Sequence, residues 1–109
     1  MNRKRFNHIL QHRIEKSQEV FGIKNNEYAN EEEVFANFKD GAGISYHNTP
    51  EKYGWELLVK HLQSIKDIIA NTEKGKLPTK SILEEKFSDA HNYLYLIEGM
   101  LVEKIEDKE

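Results

Sequence analysis

The chain has no cysteine among its 109 residues. That excludes disulfide staples, thiolate catalysis and cysteine-ligated zinc. Proline is nearly as scarce: Pro50 and Pro78 are the two, and each sits where the hydrophobic pattern breaks. Gly41-Ala42-Gly43 lacks the third glycine and the preceding strand of a phosphate-cradling loop. No Gly-x-Ser-x-Gly elbow occurs. The histidines show no zincin spacing; His8 and His12 are four apart, but no carboxylate ligand stands near them. No stretch approaches the roughly 18 apolar residues of a membrane span, and the first residues lack the apolar centre of a signal peptide. Sixteen basic residues face nineteen acidic ones, for a net charge of −3, so the basic excess of a general nucleic-acid binder is missing. Aromatics are not interleaved with a basic stripe either. The expectation is a soluble protein of the cytoplasm, with no membrane association and no general nucleic-acid binding.

What is present is helical periodicity. The spacing predicts an all-α chain, a compact bundle of about four helices forming one domain over residues 1–109. In the first helix, Arg3 to about Lys24, the residues Phe6, Leu10, Ile14, Val20 and Phe21 recur on one face. Gly22 weakens its last turn, and Asn25-Asn26 favours a turn. A second, short helix is expected from near Asn30, where Asn30 and Glu33 have capping-box spacing and Glu31 and Glu32 suit the positive end of the dipole. Val34, Phe35 and Phe38 form its apolar side, and Gly41 and Gly43 end it. Thr49-Pro50-Glu51 reads as an N-cap and first turn. The third helix then runs to about Asn71 with Leu58, Leu62, Ile65 and Ile69 as its stripe and Trp55, Leu57 and Ile68 at its borders. The polar stretch to Lys80, with Gly75 and Pro78, is a connection. A fourth helix starts between Thr79 and Ser81, with Ser81 and Glu84 spaced as a capping box; Leu83, Phe87, Ala90, Leu94, Ile97 and Leu101 line one face, and the acidic end from Glu103 frays. Five tyrosines, five phenylalanines and one tryptophan exceed what so small a core needs, which implies a homo-oligomer.

The polar residues that interrupt these stripes carry the functional reading. With Ala90 at the centre of the fourth stripe and about 100° per residue, Lys86 falls about 40° away and Asp89 about 100° away. Glu85, Asp89 and Asn92 then form a ladder at the core margin. Lys60, Ser64 and Asp67 repeat the theme on the third helix, with His61 at the border of its apolar face. Arg13, Ser17 and Lys24 lie within or near the first stripe. Two readings stand side by side: polar groups that bridge neighbouring helices, or a carboxylate, an amide and cations facing a cleft that takes phosphate. Residues 1–13 hold four basic side chains and no acid, while residues 93–109 hold five acids and two lysines. That asymmetry suits contact between subunits or between the first and last helices.

The order of pieces resembles a known set. KNNEYANEEEVFANFK (Lys24 to Lys39), TPEKYGWELLVKHLQSIKDII (Thr49 to Ile69) and EEKFSDAHNYLYLIEGML (Glu84 to Leu101) resemble small bacteriophage and prophage proteins related to the nucleotide-modification-associated domain of the first type. They are more distantly similar to MazG-like all-α NTP pyrophosphohydrolases. The resemblance covers about Phe6 to Leu101 and is sharpest at Glu27-Tyr28-Ala29, Asn37-Phe38, Lys60-His61 and Asp89-x-x-Asn92-Tyr93. It implies a protein of the bacterial host cell's cytoplasm that holds a nucleotide or nucleotide-derived molecule without turnover, sequestering a host defence signal and needing no cofactor. Arg13, Lys60 and Lys86 would hold phosphate. Tyr28, Tyr93 or Trp55 would stack a base, Asn37 and Asn92 would read base or ribose edges, and His61, Ser64 and Asp89 would complete the site.

The first alternative is a Mg²⁺-dependent pyrophosphohydrolase using Glu27, Glu33, Glu85 and Asp89 as metal ligands. The MazG-like pattern of Glu-x-x-Glu and Glu-x-x-Asp is not kept, because Lys86 stands three before Asp89. The second alternative is an interaction module that inhibits a host protein.

Overall fold

The computed structural model describes the backbone of residues 1–28 and 33–108, and the side chains of residues 1–20 and 33–108. It contains four helices, α1 (Arg3–Tyr28), α2 (Ala36–Ile44), α3 (Pro50–Glu73) and α4 (Lys80–Glu106), and no strand among the described residues. This is the all-α bundle expected from the periodicity. No helix among the described residues is long and apolar enough to cross a membrane.

The caps explain where the helices begin. Thr49 Oγ1 accepts the Lys52 N–H at 3.2 Å, with Pro50 in the first turn where a missing N–H is harmless. Thr79 Oγ1 accepts the Ile82 N–H at 3.1 Å, so Thr79, and not Ser81, caps α4. Two helix ends use the same device with different residues. After α3, Gly75 takes φ 87°, and the N–H groups of Gly75 and Lys76 bond the Thr72 and Asn71 carbonyls. After α2, Tyr46 takes the left-handed position at φ 58°, and the N–H groups of Tyr46 and His47 bond Gly43 and Ala42.

Some boundaries differ from expectation. α1 continues past Lys24 through Asn25-Asn26 to Tyr28. The expected capping-box residue Asn30 lies outside the described residues, as do Glu31 and Glu32; α2 starts at Ala36, after a turn in which the Glu33 carboxylate accepts the Phe35 N–H at 3.1 Å. Gly41 and Gly43 lie inside α2 and do not end it. Gly41 is there because of packing: a Cβ at this position would fall within 2.9 Å of three Tyr53 ring carbons. Only a helix without a side chain can lie this close to α3. The acidic end stays helical to Glu106, with Lys104 in the last turn beside the negative end of the dipole.

α4 lies between α1 and α3, and α2 packs on α3. α3 and α4 run antiparallel, with Glu51 opposite Lys104 and His61 opposite Asp89. The core is small: Leu58, Met100, Ala90, Ala42 and Phe38 are its buried apolar residues among those described. Phe38 joins α2, α3 and α4 by meeting Tyr53 and Tyr93 edge-on, at 6.3 and 6.2 Å between centroids. Several residues of the expected stripes are outside it. Phe6, Leu10 and Ile14 on α1, Leu62 and Ile69 on α3, and Leu83, Leu94 and Leu101 on α4 all remain exposed.

Candidate functional site

α1 meets α4 through polar side chains. Arg13 donates to Ser88 Oγ at 2.5 Å and to the Glu84 carbonyl at 3.3 Å. His12 Nε2 lies 3.0 Å from Glu84 Oε1. The direction of α1 follows from chain reach. Tyr28 lies about 22 Å along the helix from Arg13, and Phe35, whose ring lies against Gly99, follows Tyr28 by at most about 24 Å of chain. An α1 antiparallel to α4 would leave close to 40 Å to cover, so the two helices run the same way. Ser17 follows one turn beyond Arg13 on α1, and Asn92 one turn beyond Ser88 on α4.

The two helices carry buried polar atoms with no hydrogen-bond partner. Ser17 is 2% exposed and Asn92 7%. Ser17 Oγ, Asn92 Oδ1 and Arg13 Nε are sealed from solvent, and none has a hydrogen-bond partner. Groups left in that condition cost about 1–3 kcal/mol each, and a water, an ion or a ligand is the usual partner of such a group.

Burial drives the His91 imidazole below its ordinary range, and the nearby Arg13 charge adds to this. The unfolded chain then holds the His91 proton more tightly than the folded one, so this histidine contributes stability at neutral pH that is lost on acidification. The melting temperature should fall between about pH 7 and pH 5, and His91→Gln should flatten that part of the profile. Equal slopes in the two proteins would show that His91 is not responsible.

The remaining expected site residues do not join this seam. Asp89 turns to α3, where its Oδ2 lies 3.9 Å from His61 Nδ1, and His61 stacks on Tyr93 at 5.0 Å. Of the three residues of the expected cleft, Asp89 turns to His61, Asn92 is buried and Lys86 is half-buried. The Ser64 hydroxyl donates to the Lys60 carbonyl of its own helix at 3.3 Å. Asn37 and Glu85 are exposed. Glu33 pairs with Lys39 at 2.8 Å, and that ammonium and the Phe35 N–H hold its carboxyl below the usual range. Side chains Glu27 and Tyr28 lie outside the described residues. No three side chains of metal-ligating type cluster among the described residues.

Lys60 lines an open groove of about 700 Å³ with Trp55, Val59, Ile97, His47 and Glu56. Its surface is mostly apolar, and Glu51 and Glu56 stand beside it. Glu51 is paired with Lys104 at 3.0 Å; burial pushes its carboxyl up, but that bond, its own backbone N–H and the Thr49 hydroxyl outweigh burial and leave it below the usual range. Sequence reasoning overlooked Ser88. The signal was an arginine inside an apolar stripe, which requires an acceptor on the facing helix. Comparison of the chain with protein-family models, with curated proteins and with solved structures finds no match.

Proposed function

We propose that this chain binds a nucleotide-like, phosphorylated small molecule without turning it over, and that the seam between α1 and α4 holds it. One observation carries this reading: Arg13 Nε and Ser17 Oγ on α1 and Asn92 Oδ1 on α4 are buried with no hydrogen-bond partner, and Arg13 reaches across to α4 at Ser88. A guanidinium N–H and a hydroxyl suit a phosphate oxygen. The Asn92 carbonyl needs a donor, which a ribose hydroxyl or a base amino group supplies. A nucleotide has both kinds of group. Asn92 also belongs to a segment, Glu84 to Leu101, whose resemblance points to nucleotide chemistry. The trio has no carboxylate for a metal ion, and sequestering a signalling nucleotide in a host cell requires none. Entry needs α1 to lift from α4, which is feasible for a helix packed mainly along one neighbour.

Thermal melting against nucleoside mono-, di- and triphosphates, cyclic dinucleotides, pyrophosphate and phosphate tests the proposal. A ligand at about 100 times its Kd adds about 2.7 kcal/mol, or roughly 10 °C for a chain of this length. Arg13→Gln should abolish that shift. Ser17→Ala should melt above wild type without ligand, because it removes a buried unpartnered hydroxyl worth about 1 kcal/mol or more, and should respond less to ligand. If no compound moves the melting point, the reading is wrong. Recovery of the ligand as cleaved product would replace it with the pyrophosphohydrolase reading.

A further inference from the structure

The α3–α4 pair has an apolar face that no described residue covers. Trp55, Leu62 and Ile69 recur every seven residues on α3, and Leu83, Leu94 and Leu101 follow one line of α4. Trp55 is 56% exposed, and Leu94 and Leu101 are 46% and 50% exposed. The open groove joins the two lines, because Trp55 and Val59 share it with Ile97, one turn from both Leu94 and Leu101. The lines therefore lie on the same side of the antiparallel pair, away from the Ser88–Asn92 edge that meets α1.

We infer that a second copy of this chain covers this face, so that two α3–α4 pairs close into a four-helix bundle about a two-fold axis. Area supports that occupant. The accessible surface is 8435 Å², whereas a compact monomer of 12.8 kDa exposes about 6,300 Å². The excess of roughly 2,100 Å² falls within the 1,000–2,500 Å² or so that each partner of an obligate homodimer buries. The radius of gyration of 16.3 Å also exceeds the roughly 13 Å of a compact domain this long. The inference does not depend on what binds the α1–α4 seam.

Sedimentation equilibrium of the full chain should return twice 12.8 kDa at micromolar concentration. Leu94→Glu with Leu101→Glu should return the monomer mass with its helical circular dichroism retained. Ile44→Glu, on an exposed residue of α2, should remain a dimer. Trp55 is the one tryptophan, so wild-type emission should shift to the red as dilution separates the copies; this readout decides the matter if the double variant does not fold. A wild-type monomer at about 100 µM, well above the dissociation constants of stable dimers, overturns the inference. So do a double variant that stays dimeric, dissociation by Ile44→Glu to the same extent, and Trp55 emission independent of concentration. A wild-type monomer whose face binds an unrelated protein gives the face to another partner and also overturns it.

Discussion

Leu58→Ala is expected to destabilise the chain by about 3 kcal/mol, within the range for large-to-small changes at fully buried sites. Leu58 is 1% exposed, the lowest value among the described core residues. The core around it is small, so the cavity would have few neighbours able to close it. α3 and α4 make the largest helix contact of the fold, and Leu58 lies in it one turn from both Gly54 and His61. The expected loss is roughly 10–20 °C in melting temperature for a chain of this size. The measurement is thermal unfolding at a fixed protein concentration, because a self-associating chain melts at a temperature that depends on concentration. Leu62→Ala, four residues away but exposed, should cost far less in the monomer. Equal losses would mean that Leu58 is no better packed than its neighbour.

Gly41→Ala should be the second large effect and a local one. The added methyl would occupy space held by the Tyr53 ring. That ring must turn away, losing its edge contact with Phe38, or α2 must move off α3. Overpacking of this kind costs about 1–3 kcal/mol, against which the helix propensity gained from alanine returns at most about 1 kcal/mol. Because α2 is nine residues long, the amides of Ala36–Ile44 should exchange with solvent faster while those of α3 and α4 keep their protection. Gly43→Ala, with nothing within 4 Å of the added methyl, should stabilise. If the two substitutions behaved alike, Gly41 would be unrelated to the close approach.

The contrast between these two glycines shows what could be read in the sequence. Both look like helix breakers, yet both are inside α2. Propensity is a preference of about 1 kcal/mol, and the docking of Phe38 and Ala42 outweighs it. The start of α3 was legible because Thr49 and Pro50 act through their own backbone neighbours. Ser81 and Glu84 had equal local merit as a cap, but Thr79 serves and Glu84 goes to His12 on a distant helix.

The candidate site was legible in part for the same reason. Arg13 and Asn92 stood out as polar residues near apolar stripes. The separation of Arg13, which bonds Ser88, from Asp89, which turns to His61, depends on α4 having neighbours on two sides. Periodicity reports that a residue is near the apolar side of its own helix; it contains nothing about which neighbour approaches from which angle.

By itself, the sequence determined the all-α class, the existence of four helices, the cap at Thr49 and the start of α4 between Thr79 and Ser81, because these depend on spacing and hydrogen bonds within a few residues. Only the tertiary structure decided which stripes are covered. Leu58 is sealed, while Leu94 and Leu101, marked by the same periodicity, face outward. Burial is a property of two surfaces that meet, and one helix's pattern describes only the first of them.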